Sequence, residues 1–184
     1  MQLSQCIQCP AGSYCATSGL TAVSGSCTAG YYCVAGSIQS KPASGKCTAG
    51  NYCPTGASSQ TTCAAGTYQD QAEQASCITC PAGYFCVAGS TSPGVICPLG
   101  HYCPAGTPTN ISYPCPTSTY NPQTGAHTST QCKACKPGHY CASTGLGAPT
   151  GQCAAGYFCT LGSATSTPPA TSETKYNTCK AGFF

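Results

Sequence analysis

The chain has 184 residues, of which 20 are Cys, 22 Gly and 15 Pro, with one Met and no Trp. Leu, Ile, Val and Phe together number only 18, too few for the aliphatic core that hides most of an ordinary domain of this length; Cys at about 11% exceeds the level that marks a disulfide scaffold. Six basic and three acidic residues, a formal net charge of +3, exclude a polyelectrolyte, an acidic tail, a basic nucleic-acid surface and charge-driven disorder.

From the N-terminus, Met1-Gln2-Leu3-Ser4-Gln5-Cys6 shows neither a charged n-region nor an apolar h-region. A secreted protein would then be a mature form or a segment of something longer. No stretch approaches the roughly 18 apolar residues of a membrane helix. One pattern then recurs, Cys-x-x-Gly-x-(Tyr/Phe)-Cys. It reads CPAGSYC from Cys9, CTAGYYC from Cys27, CTAGNYC from Cys47, CPAGYFC from Cys80, CPLGHYC from Cys97, CKPGHYC from Cys135 and CAAGYFC from Cys153. CAAGTYQ from Cys63 and CPTSTYN from Cys115 lack the second Cys, and CKAGFF from Cys179 reaches the last residue without one. Pro or a small residue after the Cys, with Gly in fourth place, suggests a β-turn with Pro at i+1 and Gly at i+3. Only the Cys115 repeat replaces that Gly, with Ser118.

An aromatic follows in all ten repeats: Tyr14, Tyr32, Tyr52, Tyr68, Phe85, Tyr102, Tyr120, Tyr140, Phe158 and Phe184. Such rings are the main apolar area available to cover a disulfide; a stripe that binds sugars is the functional rival, and local packing is favoured. The intervening segments, such as 16–26 and 87–96, are rich in Gly, Ser, Thr and Pro without helical or strand periodicity. Almost no helix is expected, with two-residue ladders or hairpins around the x-(Tyr/Phe)-Cys segments.

Cys6, Cys77 and Cys132 fall outside the ten repeats and create CIQC, CITC and CKAC. Cutting before the latter two gives modules 1–76, 77–131 and 132–184 with 8, 6 and 6 cysteines, all even. All twenty are candidate half-cystines: Cys6, Cys9, Cys15, Cys27, Cys33, Cys47, Cys53, Cys63, Cys77, Cys80, Cys86, Cys97, Cys103, Cys115, Cys132, Cys135, Cys141, Cys153, Cys159 and Cys179. Two pairing schemes are compatible with the spacing. A ladder joins Cys15–Cys27, Cys33–Cys47, Cys86–Cys97 and Cys141–Cys153, and forces each C-x-x-C to close on itself. An interlocked scheme joins Cys63–Cys77, Cys80–Cys97, Cys86–Cys103, Cys115–Cys132, Cys135–Cys153, Cys141–Cys159, Cys9–Cys27 and Cys15–Cys33. It leaves Cys47 and Cys53 for each other and Cys6 and Cys179 as orphans, open to pairing between chains. The second is preferred because it avoids strained C-x-x-C rings.

The run Cys63-Ala-Ala-Gly-Thr-Tyr, followed by Cys77-Ile-Thr-Cys80-Pro-Ala-Gly-Tyr-Phe-Cys86, resembles the ephrin-receptor-like cysteine-rich repeat. The resemblance implies bridging similar to the tumour-necrosis-factor-receptor module. It also implies a place in receptor ectodomains or in long protist and algal surface proteins, including appendage (mastigoneme-type) filaments. The extra repeats from Cys27 and Cys47 depart from the receptor pattern, so no receptor ligand site carries over.

Other chemistry is sparse. The three C-x-x-C pairs have zinc-ligand spacing, but no paired C-x2-C block recurs, and His101 and His139 occupy a motif position that Ser, Tyr, Asn, Thr and Phe also fill. Asp70, Glu73 and Glu173 are the only acids and sit in polar loops, without the paired carboxylates or oriented His of acid–base catalysis; no enzyme, metal or cofactor is expected. Asn110-Ile111-Ser112 is a complete N-glycosylation acceptor, whereas Asn51-Tyr-Cys53 and Asn177-Thr-Cys179 are poor ones. The mucin-like stretch 163–174 offers Thr165, Ser166, Thr167, Thr171, Ser172 and Thr174 for O-glycans.

Dense, even cysteine without a core points to an oxidising compartment, extracellular or at the cell surface. The expected fold is small, disulfide-rich and irregular, with short β-hairpins strung as tandem repeats into an elongated rod. A compact chain of this length would have a radius of gyration near 16 Å, about the globular scaling value. Solution scattering is expected to give a clearly larger figure. The expected function is a glycosylated structural protein that self-associates into a surface fibre or appendage, without nucleic-acid partners or membrane insertion. The alternative is the stalk or ligand-binding region of a receptor or adhesin ectodomain.

Overall fold

The computed structural model describes residues 7–169; Cys6, Phe184 and Cys179 lie outside them. The chain forms two bodies, one of residues Met1–Cys80 with Cys86–Gly94, the other of Pro81–Phe85 with Val95–Phe184. No α-helix occurs among the described residues, only the 3-10 turns Ala43–Gly45 and Ser129–Gln131. This is the small, disulfide-rich, hairpin-based fold expected of tandem cysteine-rich repeats.

In the first body, β1 (Ser13–Tyr14) pairs with β2 (Gly25–Ser26), β3 (Asn51–Tyr52) with β4 (Thr61–Thr62), and β5 (Thr67–Tyr68) with β6 (Ile78–Thr79). In the second, β7 (Tyr84–Phe85) pairs with β8 (Val95–Ile96), β9 (Thr119–Tyr120) with β10 (Lys133–Ala134), and β11 (His139–Tyr140) with β12 (Gly151–Gln152). All six pairs are antiparallel. Each joins the x-(Tyr/Phe) dipeptide of one repeat to the two residues before the first Cys of the next repeat. Two repeats keep a single bridge instead, Tyr31 with Lys46 and His101 with Pro114. At the latter the reason is chemical: Pro114 has no N–H to give a ladder.

The turn inside each repeat sits one residue later than the sequence suggests. Ser13 N–H donates to the Pro10 carbonyl at 3.2 Å, so Pro10 opens the turn and Gly12 takes its third position with φ 83°. A third residue with positive φ is what favours glycine there. The same shift holds from Pro81 to Tyr84 and from Pro98 to His101.

That turn also decides the disulfides, and here both pairing schemes need correction. The complete repeats close on themselves: Cys9–Cys15, Cys27–Cys33, Cys47–Cys53, Cys80–Cys86, Cys97–Cys103, Cys135–Cys141 and Cys153–Cys159. None of the ladder pairs is present. Of the interlocked pairs, Cys9–Cys27, Cys15–Cys33, Cys80–Cys97, Cys86–Cys103, Cys135–Cys153 and Cys141–Cys159 are absent, whereas Cys63–Cys77 and Cys115–Cys132 are present, as is Cys47–Cys53. The turn folds the chain back within five residues, bringing the two Cys of one repeat together before any later repeat can compete. Where the second Cys is missing, the first finds the extra half-cystine of the following C-x-x-C. These two bridges run across the 76/77 and 131/132 module boundaries and link the modules covalently there.

Successive repeats are joined by a recurring backbone clasp. The motif glycine's carbonyl accepts the N–H of the next repeat's first Cys, and its N–H donates to the carbonyl of the next repeat's second Cys. Gly12 is held in this way by Cys27 and Cys33, Gly66 by Cys80 and Cys86, and Gly83 by Cys97 and Cys103, at 2.7–2.9 Å. Ser118 keeps the clasp, bonded by Cys135 and Cys141 at 2.8 and 3.1 Å, but holds φ 71° without being glycine. A side chain in the left-handed region costs roughly 1–2 kcal/mol. Ser118→Gly is therefore expected to raise stability by about 1 kcal/mol in denaturant titration; a neutral or destabilising result would contradict this.

The buried apolar residues of the described chain are fourteen half-cystines and Ala126. Two buried amides complete the pattern. Gln69 and Asn121 stand where the Cys63 and Cys115 repeats lack a second Cys, and both are buried. Their backbones make the second-Cys half of the clasp with Gly50 and Gly100. Their side chains are satisfied within the fold: Gln69 Nε2 donates to the Ser76 carbonyl at 2.8 Å, and Asn121 Nδ2 to the His101 carbonyl at 3.2 Å. Each amide oxygen accepts a backbone N–H two residues on, from Gln71 and Gln123. A buried amide with its bonds made is tolerated where a lone polar group would not be.

Candidate functional site

The motif rings do not form a free aromatic stripe. From Tyr14 to Tyr140 they are all half-buried. The Tyr14 ring lies over Gly25 and the Tyr140 ring over Gly151, their register partners, so closely that a Cβ on either glycine would sit 3.1 and 3.3 Å from it. Tyr32 donates through its hydroxyl to the Ser44 carbonyl at 3.2 Å. An aromatic covering a facing glycine replaces the missing side-chain contact across a hairpin. Phe158 alone among the described motif rings is mostly exposed, at 52%.

The aliphatic residues take the opposite place. All five Ile (7, 38, 78, 96, 111) and all four Val (23, 34, 87, 95) are exposed, as are Leu20, Leu99 and Leu161. The half-cystines fill most of the interior, with the polar side chains of Gln69, Thr107 and Asn121 buried beside them. Single exposed aliphatics are ordinary; having every Ile and Val outside is not.

The sequence pattern misses a second turn. After the second Cys a further Cys-x-x-Gly step brings Gly36, Gly56, Gly89 and Gly162 to positive φ. Their N–H groups donate to the first-Cys carbonyls of the preceding repeats, Cys9, Cys27, Cys63 and Cys135, at 2.8–2.9 Å. A following Ser or Thr caps the turn at Ser37, Ser90, Thr107 and Ser163, as when Thr107 Oγ1 donates to the Pro104 carbonyl at 2.6 Å; after Gly56 the residue is Ala57. The signal was available in the spacing: after Cys33, Cys53, Cys86, Cys103 and Cys159 the repeat continues Cys-x-x-Gly, and after Cys15 and Cys141 the Gly comes one residue later.

Of the three acids, Asp70 is exposed and Glu173 lies outside the described residues. Glu73 anchors the one ion pair among the described residues, with Lys46 at 2.5 Å, and accepts the Tyr31 hydroxyl. It also takes the second-turn position of the Cys63 repeat at φ 62°, and its N–H donates to the Cys47 carbonyl at 2.8 Å. Lys46 and the Tyr31 hydroxyl hold its carboxyl below the usual carboxylate range, and the bond to Glu73 pushes Tyr31 and Lys46 above theirs. Since the folded value for Glu73 is depressed, its contribution is complete above the unfolded pKa of about 4.3 and fades as pH falls through the folded value. Those of Lys46 and Tyr31 depend on the same carboxylate, so they are lost with it at low pH, and they also fade as pH rises through the raised values of the two groups. An NMR titration is expected to place the Glu73 carboxyl below the ordinary glutamate value of about 4.3, and Lys46→Gln to bring it back up.

Among the described residues the sequence candidates for metal or acid–base chemistry form no cluster. In two of the C-x-x-C pairs every sulfur is in a disulfide, Cys77 and Cys80 with Cys63 and Cys86, Cys132 and Cys135 with Cys115 and Cys141; Cys9 of the third is bonded to Cys15. Among the described residues no group of three or more His, Cys, Asp and Glu could hold a metal ion. His101 Nδ1 lies 3.1 Å from the Leu99 carbonyl, and His139 is half-buried beside its own hairpin.

Of the candidate glycan sites, Asn110 is exposed; Thr165 and Thr167 are exposed and Ser166 is half-buried. Thr171, Ser172 and Thr174 lie outside the described residues. No described helix is long and apolar enough to cross a membrane. No protein-family model matches the chain, and no curated protein matches it significantly.

Proposed function

We propose that the chain is an extracellular structural repeat protein that builds a surface fibre or filamentous appendage by self-association. The observation that carries this is the division of apolar residues: half-cystines fill the interior while every Ile and Val faces outward. A chain that spends its aliphatic residues on the surface has them available for contact with other molecules. With only nine charged residues in the sequence, little electrostatic repulsion opposes contact between copies. The role is mechanical rather than catalytic and needs no cofactor. Nine described disulfides suit an oxidising compartment, and their number suits resistance to unfolding and proteolysis. The kinship we favour is with ephrin-receptor-like cysteine-rich repeats of long surface and appendage proteins, on the CAAGTY…CITCPAGYFC run.

Electron microscopy and sedimentation of native material test the proposal. Filaments carrying this repeat, with assembly that strengthens as protein concentration rises, are the expected result. A monodisperse monomer at all concentrations that captures a defined protein or glycan would replace it with the receptor or adhesin role.

A further inference from the structure

We propose that Asn110 carries an N-linked oligosaccharide and that Asn51, the other described asparagine two residues before a Ser, Thr or Cys, does not. The proposal rests on the oxidising secretory setting of the function above.

The loop from Cys103 to Cys115 is held at both ends and projects between them. At its start the buried Thr107 closes the second turn on the Pro104 carbonyl. At its end the Tyr102 N–H donates to the Tyr113 carbonyl at 3.0 Å, Pro114 bridges His101, and the Tyr102 and Tyr113 rings meet at 5.6 Å. Between these anchors a tight turn runs from Thr109 to Ser112, closed by the Ser112 N–H on the Thr109 carbonyl at 3.4 Å and by their hydroxyls at 2.8 Å. Asn110 and Ile111 form its tip. Asn110 is exposed, and no hydrogen bond to a described residue engages its carboxamide. The sequon therefore stands away from the disulfide interior with its acceptor nitrogen free.

Asn51 is the reverse. It sits in β3, half-buried, and its Nδ2 donates to Thr48 Oγ1 at 3.1 Å and to the Ala49 carbonyl at 3.4 Å. Its Oδ1 accepts the Thr62 hydroxyl at 2.9 Å. The third residue of its acceptor, Cys53, is fully buried and bonded to Cys47, so no thiol remains there.

The donor class is a polyprenyl-pyrophosphate-linked oligosaccharide, supplied with its transferase by the secretory pathway. The bond from the sugar anomeric carbon to the pyrophosphate oxygen breaks and a bond from that carbon to Asn110 Nδ2 forms. The amide loses one proton and polyprenyl pyrophosphate leaves; nothing is oxidised or reduced. At the turn tip the sugar would lie beside Ile111 and Tyr113, 70% and 40% exposed, and supply the solvation that a chain with so few charges lacks.

The test is peptide mapping of the full chain, secreted from a eukaryotic host, without reduction and with amidase release of N-glycans. The expected result is Asp at position 110 after release in nearly all molecules and unmodified Asn51. The mass shift should vanish in both Asn110→Gln and Ser112→Ala while the disulfide map stays unchanged. An intact disulfide map with unmodified Asn110 would overturn the glycan while leaving the extracellular proposal standing. Modification at Asn51 would overturn the structural distinction between the two sites. Free thiols throughout would overturn both the glycan and the extracellular proposal.

Discussion

Reduction of the disulfides is expected to unfold the described chain completely, with loss of NMR dispersion and of protease resistance in one step. The interior has no second set of interactions to fall back on, since nearly all its buried apolar side chains are the half-cystines themselves. In the chain-entropy account each bridge contributes through the loop it closes, about 2 kcal/mol for the shortest loops and about 3 kcal/mol for those near 15 residues. Nine such terms outweigh the 5–15 kcal/mol or so of an ordinary domain, so removing them all leaves no folded state. The same account ranks the bridges. Cys115–Cys132 spans 17 residues and Cys63–Cys77 spans 14, against 6 for the others. The double variant Cys115→Ser/Cys132→Ser should therefore cost about 1 kcal/mol more than Cys9→Ser/Cys15→Ser, each bridge having one buried and one half-buried half-cystine. Native-like dispersion in the reduced protein would contradict the first expectation, and an equal loss in the two double variants the second.

Gly100→Ala is expected to be among the most damaging single substitutions outside the cysteines, costing about 2–5 kcal/mol. Two effects combine. The residue holds φ +78°, which charges any other side chain roughly 1–2 kcal/mol. A Cβ there would also stand 2.0 Å from the Gly145 carbonyl oxygen and 2.5 Å from its carbon, and backbone held in the next clasp gives way only at a further cost of about 1–3 kcal/mol. Gly19→Ala separates the two, because Gly19 has φ +75° with no atom within 4 Å of the added Cβ. It should lose only about 1–2 kcal/mol. Equal losses in thermal or denaturant unfolding would mean that close approach of the repeats contributes nothing.

The contrast at position 118 belongs to the same physics. Gly100 and Gly12 are glycine for conformation and for space; Ser118 shows that conformation alone can be strained and still keep the clasp. What let the sequence betray these positions is that a tight turn restricts residue type at a fixed offset from the cysteines. The aromatic position was legible for the same reason: a Tyr or Phe stands five residues after the first Cys in every repeat. The x-(Tyr/Phe) ladders were legible because only those two residues separate the turn from the second Cys.

The disulfide partners were not legible. Spacing of 6 residues and spacing across a loop both satisfy Cys–Cys geometry, and a linear count cannot choose between them. The turn register, with Gly12 in third rather than fourth place, makes the short closure favourable. Gln69 and Asn121 were invisible for a related reason: nothing in CAAGTYQ or CPTSTYN says that the last residue is buried until the next repeat is seen to bond its backbone. The exposed placement of Ile and Val was equally hidden, because segments without periodicity carry no sign of which side faces inward.

By itself the sequence determined the cross-linked class of the protein, the length and number of its repeats, the absence of an ordinary core and the positions where glycine and an aromatic are required. These follow from composition and from local sterics, which act within a few residues. Only the tertiary structure decided which sulfurs join, that glycines and half-cystines of successive repeats clasp each other, that amides can stand in for missing cysteines, and that the aliphatic residues are left outside. Those outcomes depend on which backbone groups meet between repeats about twenty residues apart, and hydrogen bonds of that reach leave no periodic trace in the chain.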